Sequence, residues 1–122
     1  MTTQEPIVVI DDSLVIRRLV ETILTRAGRE VHAYANAADA LARLGDGAQP
    51  APSVVLLDAL LPDMDGAAVH AELKRRHGAA TPPVVFVSGL AREELPPADG
   101  YVHKPFTPER LLAAVAAAEE AA

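Results

Sequence analysis

The sequence predicts an α/β fold in which helices cover both faces of one doubly wound, five-stranded parallel sheet. Short runs rich in valine and isoleucine, typical of buried parallel strands, alternate with stretches of helical periodicity. The length of 122 residues suits one compact domain. Half of the residues are apolar but only 3% are aromatic, which indicates an aliphatic core. Residues 1–122 are therefore predicted to form a single domain.

The strands are predicted from the apolar runs along the chain. Ile7–Ile10, Val54–Leu57 and residues 84–87 are the clearest of these runs. A weaker run at residues 101–102 and a plausible one at Val31–Tyr34 complete the set. The length and the strand count together predict the flavodoxin-like strand order 2-1-3-4-5.

The helices are predicted from the spacing of apolar residues and from their end signals. Helical spacing begins after Asp12 and recurs over residues 36–44 and 67–77, and a glycine follows each of the three stretches. The last helix opens with Thr107-Pro108-Glu109, which offers a capping hydroxyl, a proline at the first position and an early acid. It is expected to run to the end of the chain.

Two prolines interrupt the stretch between the fourth and fifth strands. Only 15 residues separate Ser88 from Lys104. Pro96 and Pro97 also disfavour any helix that continues past Glu94. The fourth helix is therefore predicted to be short or absent.

Composition excludes several classes of function. The net charge of −6 argues against direct binding to nucleic acid or to an anionic membrane, because both require a basic surface. The chain has no cysteine, so it has neither disulfides nor a thiolate metal site. No signal peptide or membrane-spanning run is recognisable, and a cytoplasmic protein is expected.

Three acids are expected to meet at one edge of the sheet. Asp11 and Asp12 follow the first strand, and Asp58 ends the apolar run of the third. In the predicted strand order, ligands bind beyond the carboxyl ends of these two strands. Asp12 or Ser13 could instead only cap the first helix. Asp58 is harder to explain structurally, because an unpaired charge at the end of a buried run is costly.

A divalent cation would relieve the repulsion among these carboxylates. Mg²⁺ prefers such oxygen ligands and often binds one or two carboxylates together with phosphate oxygens. A calcium loop is the competing interpretation, but the acids lack its alternating pattern and distal glutamate. Ser88 and Lys104, at the ends of the fourth and fifth strands, add a hydroxyl and a cation. These parts suit a transferring phosphoryl group.

Four segments carry a resemblance to a known family: VVIDDS, LLDALLPDMDG, VVFVSG and YVHKPF. With these segments in order across nearly the whole chain, the sequence resembles the response-regulator receiver domains of two-component signalling. The segment FVSGL is also partly similar to a subgroup named for a Phe-Ala-Thr-Gly pattern, in which a mobile loop replaces the fourth helix. In that subgroup the phosphoryl donor tends to be a distinct class of histidine kinase.

The resemblance implies an acceptor and a metal site. Asp58 corresponds to the phosphorylated aspartate, and Asp11 and Asp12 to the metal-binding acids. Asp58 and the backbone carbonyl of Leu60 would also ligate the Mg²⁺ ion. The phosphoryl group would come from a phosphohistidine of a histidine kinase or a histidine phosphotransfer protein.

The resemblance also implies a phosphate-binding and switching set. Ser88 corresponds to the switch hydroxyl, and Lys104 to the phosphate-binding lysine with a cis bond to Pro105. Tyr101 resembles the aromatic residue that turns inward on activation, although it could also be a partly buried strand tyrosine. The implied protein switches protein–protein contacts and is not an enzyme acting on other molecules.

Further expectations concern phosphate lifetime and the histidines. Leu60 and Leu90 flank the path of an attacking water, and because neither can orient it, slow self-dephosphorylation is predicted. The histidines show no ligand spacing and are expected to be exposed, with His103 pointing away from Lys104 on its strand. They are His32, His70, His77 and His103.

Other functions fit the sequence less well. An aspartyl phosphohydrolase of the haloacid dehalogenase type needs a D-x-D pattern after its first strand, which Asp11-Asp12-Ser13 does not provide. A phosphate-independent interaction module would not need the complete set of acids, hydroxyl and lysine. The initial Met and the short tail favour a free-standing regulator over a receiver cut from a hybrid kinase.

Overall fold

A computed structural model describes residues 5–45 and 50–121, so both ends of the predicted 1–122 domain lie outside the described residues. All five predicted strands are present and pair in parallel in the predicted order β2-β1-β3-β4-β5. The strands are β1 (Ile7–Ile10), β2 (Val31–Tyr34), β3 (Val54–Leu57), β4 (Val84–Ser88) and β5 (Gly100–His103). The predicted fold class is confirmed.

Four α-helices connect or follow the strands in the described residues. They are α1 (Leu14–Arg26), α2 (Ala37–Leu44), α3 (Gly66–His77) and α4 (Pro108–Ala121). The first three begin at side-chain caps: Ser13, Asn36 and Asp65 each accept a hydrogen bond from an amide three residues further on. Ser13, and not Asp12, therefore caps α1, which leaves the Asp12 carboxylate free of that role.

Apolar layers cover both faces of the sheet. Alternate strand residues, such as Val8 and Ile10, face α2 and α3, while Ile7 and Val9 face α1 and α4. The central strands β1 and β3 are buried along their whole length. This double covering explains why their sequences are continuous apolar runs without polar alternation.

The connection between β4 and β5, residues 89–99, contains one short 3₁₀ turn, Arg92–Glu94, and no α-helix. The helix predicted to be short or absent between these two strands is therefore reduced to this turn. Two hydrogen bonds hold it to Tyr101: the tyrosine hydroxyl donates to the Pro96 carbonyl and accepts from the Ala98 amide, both at 2.8 Å. The Arg92 guanidinium carbon also lies 4.7 Å from the centre of the Tyr101 ring. The Tyr101 side chain therefore holds residues 92–98 of the connection to β5.

The expectation that all four histidines are exposed is wrong. His70 is only 5% exposed and packs edge-on against Phe86, with ring centres 6.0 Å apart. Burial lowers the pKa of His70, Lys74 lowers it further, and Asp99 partly opposes the shift. His70 lies on the same helical face as Val69 and Leu73, so α3 turns it inward. Of the others, only His103 is exposed, and His32 and His77 are half-buried.

No helix within residues 5–45 and 50–121 is both long enough and apolar enough to cross a membrane.

Candidate functional site

Asp11 and Asp58 lie directly beyond the carboxyl ends of adjacent strands. The Asp11 amide donates to the Tyr34 carbonyl at 3.1 Å, and the Asp58 amide donates to the Ile10 carbonyl at 2.9 Å. These bonds extend the sheet ladder by one residue and fix both backbones. The carboxylates of Asp11, Asp12 and Asp58 each offer an oxygen, and these oxygens lie within 4.8 Å of one another. The structure therefore brings the three predicted acids together.

The three acids differ in exposure. Asp11 is 2% exposed, Asp58 is 9% exposed, and Asp12 is exposed to solvent. Asp11 Oδ1 accepts from the Ser13 amide at 2.9 Å, and Asp58 Oδ1 accepts from the Leu60 amide at 3.3 Å. The cluster is thus a shallow pocket with two inner carboxylates and one at its rim.

Lys104 brings a positive charge to the two inner carboxylates. Its amide donates to the Ser88 carbonyl at 2.8 Å, which holds the residue at the end of β5. Its Nζ lies 2.7 Å from Asp11 Oδ2 and 3.4 Å from Asp58 Oδ2. The Lys104–Pro105 peptide bond is cis, as the resemblance implied.

The charges at this edge do not balance. Burial raises the pKa of Asp58, the Asp11 carboxylate raises it further, and Lys104 only partly offsets the shift. One lysine therefore faces three carboxylates whose oxygens are close enough to share a cation. A donor set made only of carboxylate oxygens matches the ligand preference of Mg²⁺. These residues fit such an ion.

The hydroxyl groups of Ser88 and Tyr101 bond to the connection 89–99. Ser88 is buried, and in the described chain its hydroxyl accepts from the Leu90 amide at 3.1 Å and has no recorded bond to Asp58. The half-buried Tyr101 ring stacks on Phe86 at 6.3 Å, and its hydroxyl bonds belong to the connection 89–99. Within the described residues, neither hydroxyl is hydrogen-bonded to the three carboxylates.

The loop between β3 and α3 carries Leu60, the predicted backbone ligand. Leu60 forms an antiparallel bridge with Asp65, and the Gly66 amide donates to the Ala59 carbonyl at 2.7 Å. A Cβ atom at Gly66 would lie 2.5 Å from the Asp58 carbonyl oxygen, so this close approach requires glycine. The Leu60 side chain is 63% exposed, whereas Leu90 is half-buried.

Sequence reasoning missed two residues that contact this region. The Arg17 guanidinium donates to the Asp11 carbonyl at 2.9 Å. The Asp63 carboxylate accepts from the Ala37 and Ala38 amides at 3.0 Å each. Helical spacing places Arg17 one turn after Ser13 and could have indicated its contact. No local sequence pattern predicts the contact between Asp63 and α2, because the two alanines lie about 25 residues earlier in the chain.

Comparison with known proteins gives one family. The family model described as "Response regulator receiver domain" matches residues 7–116. Protein PilG of Pseudomonas aeruginosa is 35% identical over 117 residues, which is 91% of this chain and 84% of PilG. The probable transcriptional regulator ycf27 of Porphyra purpurea is 35% identical over 119 residues, covering 92% of this chain and 46% of that protein. The chain thus spans about half the length of several curated relatives it matches.

Solved structures agree with these sequence matches. The BeF3-activated DrrB receiver domain superposes with a TM-score of 0.80 at 30% identity, covering 97% of this chain and 99% of DrrB. The CheY-like receiver domain protein of Methanospirillum hungatei gives a TM-score of 0.82 at 27% identity, covering 98% and 96% of the two chains. The similarity extends over the whole described sheet and its helices.

Proposed function

The chain belongs to the family of response regulator receiver domains, and on this premise we propose that Asp58 accepts a phosphoryl group to operate a signalling switch. Residues 1–122 are proposed to form one such domain. The observation that carries the proposal is the meeting of Asp11, Asp12, Asp58 and Lys104 at one sheet edge. Buried carboxylates beside a single lysine suit a reaction that brings in both a cation and an anionic phosphoryl group.

Asp11, Asp12 and Asp58, with the Leu60 carbonyl, are proposed to hold Mg²⁺. A bound ion would supply positive charge that offsets both the carboxylates and the phosphoryl oxygens. Burial and the Asp11 carboxylate raise the pKa of Asp58 despite Lys104, so a bound cation would stabilise the ionised carboxylate. Ser13 and Arg17 hold the Asp11 side chain and backbone, so that carboxylate is already oriented.

In the proposed reaction, an Asp58 carboxylate oxygen forms a bond to phosphorus. The phosphorus–nitrogen bond of a phosphohistidine breaks, and its electron pair stays on the departing imidazole nitrogen, which takes up a proton. The product at Asp58 is an acyl phosphate. Lys104 lies 3.4 Å from Asp58 Oδ2 and is placed to pair with the transferred oxygens.

The proposed switch uses Ser88 and Tyr101. Donation from the Ser88 hydroxyl to the phosphoryl group would draw the start of the 89–99 connection toward Asp58, because that hydroxyl also binds the Leu90 amide. Tyr101 holds the same connection through Pro96 and Ala98. The output is therefore proposed to be a change in protein contacts on the surface formed by this connection.

The phosphoryl donor is proposed to be a histidine kinase or a histidine phosphotransfer protein. Two large apolar side chains are exposed at the start of α1, close after the acidic pair. Leu14 is 52% exposed and Val15 is 75% exposed. Leu19 and Leu60 are exposed as well. Uncovered apolar side chains beside a reactive carboxylate suit docking of another protein. The net charge of −6 supports neither nucleic acid nor an anionic membrane as the partner.

The test is phosphoryl uptake from acetyl phosphate, followed by intact-protein mass spectrometry with and without Mg²⁺. The wild-type chain is expected to gain the mass of one phosphoryl group only when Mg²⁺ is present. The Asp58→Asn chain is expected to gain none, and Asp39→Asn, which changes an exposed acid on α2, should behave as wild type. Absence of a Mg²⁺-dependent gain in the wild type would overturn the proposal.

Replacing Leu60 by asparagine is expected to shorten the lifetime of the phosphorylated form by roughly tenfold. An amide can orient a water molecule but cannot take its proton. Its effect on the rate is therefore smaller than the ~10²–10⁴-fold that a general acid or base typically contributes. The exposed Leu60 side chain is free to be exchanged without loss of packing. Decay after removal of acetyl phosphate gives the rate, with Leu19→Asn as a control on a second exposed leucine. An unchanged lifetime would contradict the role assigned to Leu60.

A further inference from the structure

The loop between β3 and α3 is tied to a different helix by one side chain. The Asp63 carboxylate accepts two hydrogen bonds, with one oxygen 3.0 Å from the Ala37 amide and the other 3.0 Å from the Ala38 amide. These are the first two residues of α2, whose own cap is Asn36. Asp63 therefore occupies amides that the cap leaves free, and it does so from another part of the chain.

The two oxygens of Asp63 each have their own donor, so the carboxylate plane is fixed as well as its position. The amides at a helix start also carry partial positive charge, which favours an anion there. In agreement, hydrogen bonds from Ala37 and Ala38 lower the pKa of Asp63. The side chain is ionised at neutral pH, and the tie persists through the physiological range.

The rest of the loop is bonded mainly to itself. The Leu60–Asp65 bridge, the Gly66–Ala59 hydrogen bond and the Leu60–Asp58 hydrogen bond all lie within the strand, loop and helix of this one unit. Among the described residues, the hydrogen bonds that join loop 59–65 to an element other than the adjoining β3 and α3 are the two made by Asp63. Leu61 and Met64 add apolar packing against the core. Apolar packing is non-directional, so it does not orient the loop as a pair of hydrogen bonds does.

We propose that Asp63 is a positioning residue that sets the height and orientation of the β3–α3 loop, and through it the Leu60 carbonyl, for Mg²⁺ binding. The inference rests on the proposed function, in which that carbonyl ligates the ion. Leu60 is linked to Asp65 by the bridge, and Asp63 lies between the two. Without its two hydrogen bonds to α2, Asp63 would no longer fix the part of the loop that lies next to the Leu60 carbonyl.

The variant Asp63→Ala is expected to weaken Mg²⁺ binding by about tenfold. This is the low end of the loss seen when a residue that orients a metal ligand is removed. Asp63→Asn keeps an acceptor oxygen for one of the two amides and should fall between Asp63→Ala and wild type. Asp39→Ala removes an equal charge from α2, the helix that Asp63 contacts, at a position two residues from Ala37 and outside the loop. It should bind Mg²⁺ as wild type does.

Affinity is measured by titrating Mg²⁺ into each full-length chain and following backbone amide chemical shifts by NMR. The same chains are then tested for phosphoryl uptake from acetyl phosphate over a range of Mg²⁺ concentrations. For Asp63→Ala, the Mg²⁺ concentration for half-maximal uptake should rise about tenfold, while the rate at saturating Mg²⁺ stays near wild type. General damage to the fold would lower that saturating rate.

The outcomes separate this inference from the proposed function. If wild type takes up phosphate with Mg²⁺ but Asp63→Ala binds the ion as tightly as wild type, the positioning role is overturned and the switch stands. If Asp63→Ala and Asp39→Ala weaken binding equally, only charge matters and the role is likewise overturned. If wild type binds no Mg²⁺, both proposals fail. Should Asp63→Ala unfold, the comparison of Asp63→Asn with wild type decides.

Discussion

Replacing Lys104 by alanine is expected to slow phosphoryl uptake at Asp58 by about a hundredfold while tightening Mg²⁺ binding. The two effects have one cause. Lys104 Nζ lies 2.7 Å from Asp11 Oδ2 and 3.4 Å from Asp58 Oδ2, so it neutralises the same oxygens that an ion would bind. Its removal leaves those oxygens to the metal, but it also removes a donor for the transferred phosphoryl oxygens, which typically costs ~10²–10³ in rate.

Both effects can be read from one set of samples. Mg²⁺ affinity is titrated by NMR, and uptake from acetyl phosphate is timed at saturating Mg²⁺ so that occupancy does not limit the rate. The matched control is Lys74→Ala, because Lys74 is the other lysine of the chain and is exposed on α3. A Lys104→Ala chain that took up phosphate at the wild-type rate would contradict the role of this lysine.

Truncating Phe86 to alanine is expected to cost about 3–5 kcal/mol of the free energy of unfolding. Phe86 is fully buried in the middle of the sheet face that carries α2 and α3. Its ring packs between His70 and Tyr101, with ring centres 6.0 and 6.3 Å away. His70 is fixed on α3 and Tyr101 is held by the hydrogen bonds of its hydroxyl, so neither ring is free to fill the cavity. A domain of this size has only about 5–15 kcal/mol in total.

Urea unfolding followed by circular dichroism measures this loss. Phe106→Ala is the matched control, because Phe106 is the other phenylalanine, is only half-buried and packs against the opposite layer. It should cost clearly less than Phe86→Ala, and Phe86→Leu should recover most of the loss because it refills part of the volume. Equal losses for the two truncations would mean that Phe86 is not the centre of this layer.

The sheet and the acidic edge were predictable because their signals are local or follow from topology. A buried parallel strand appears as an apolar run, and parallel strands place whatever follows them at one edge. The proximity of Asp11 and Asp58 can therefore be predicted from the sequence alone. The short 89–99 connection was equally predictable, since Pro96 and Pro97 disfavour a helix that continues through them.

What could not be predicted depends on partners distant in sequence. The tie from Asp63 to α2 joins segments about 25 residues apart and leaves no periodic signal. The prediction that His70 is exposed is wrong because the residue shares the buried face of α3 with Val69 and Leu73. The roles of Ser88 and Tyr101 stay predictions, because they concern a conformation that differs from this one.

The way Tyr101 holds the 89–99 connection bears on how sharply the proposed switch would respond. One hydroxyl serves both Pro96 and Ala98, and Arg92 lies over the same ring. Rotation of this single side chain breaks all three contacts at once, whereas a helix can fray one turn at a time. Because these three contacts depend on one side chain, they would be lost together, which favours two states of residues 92–98 over a graded displacement.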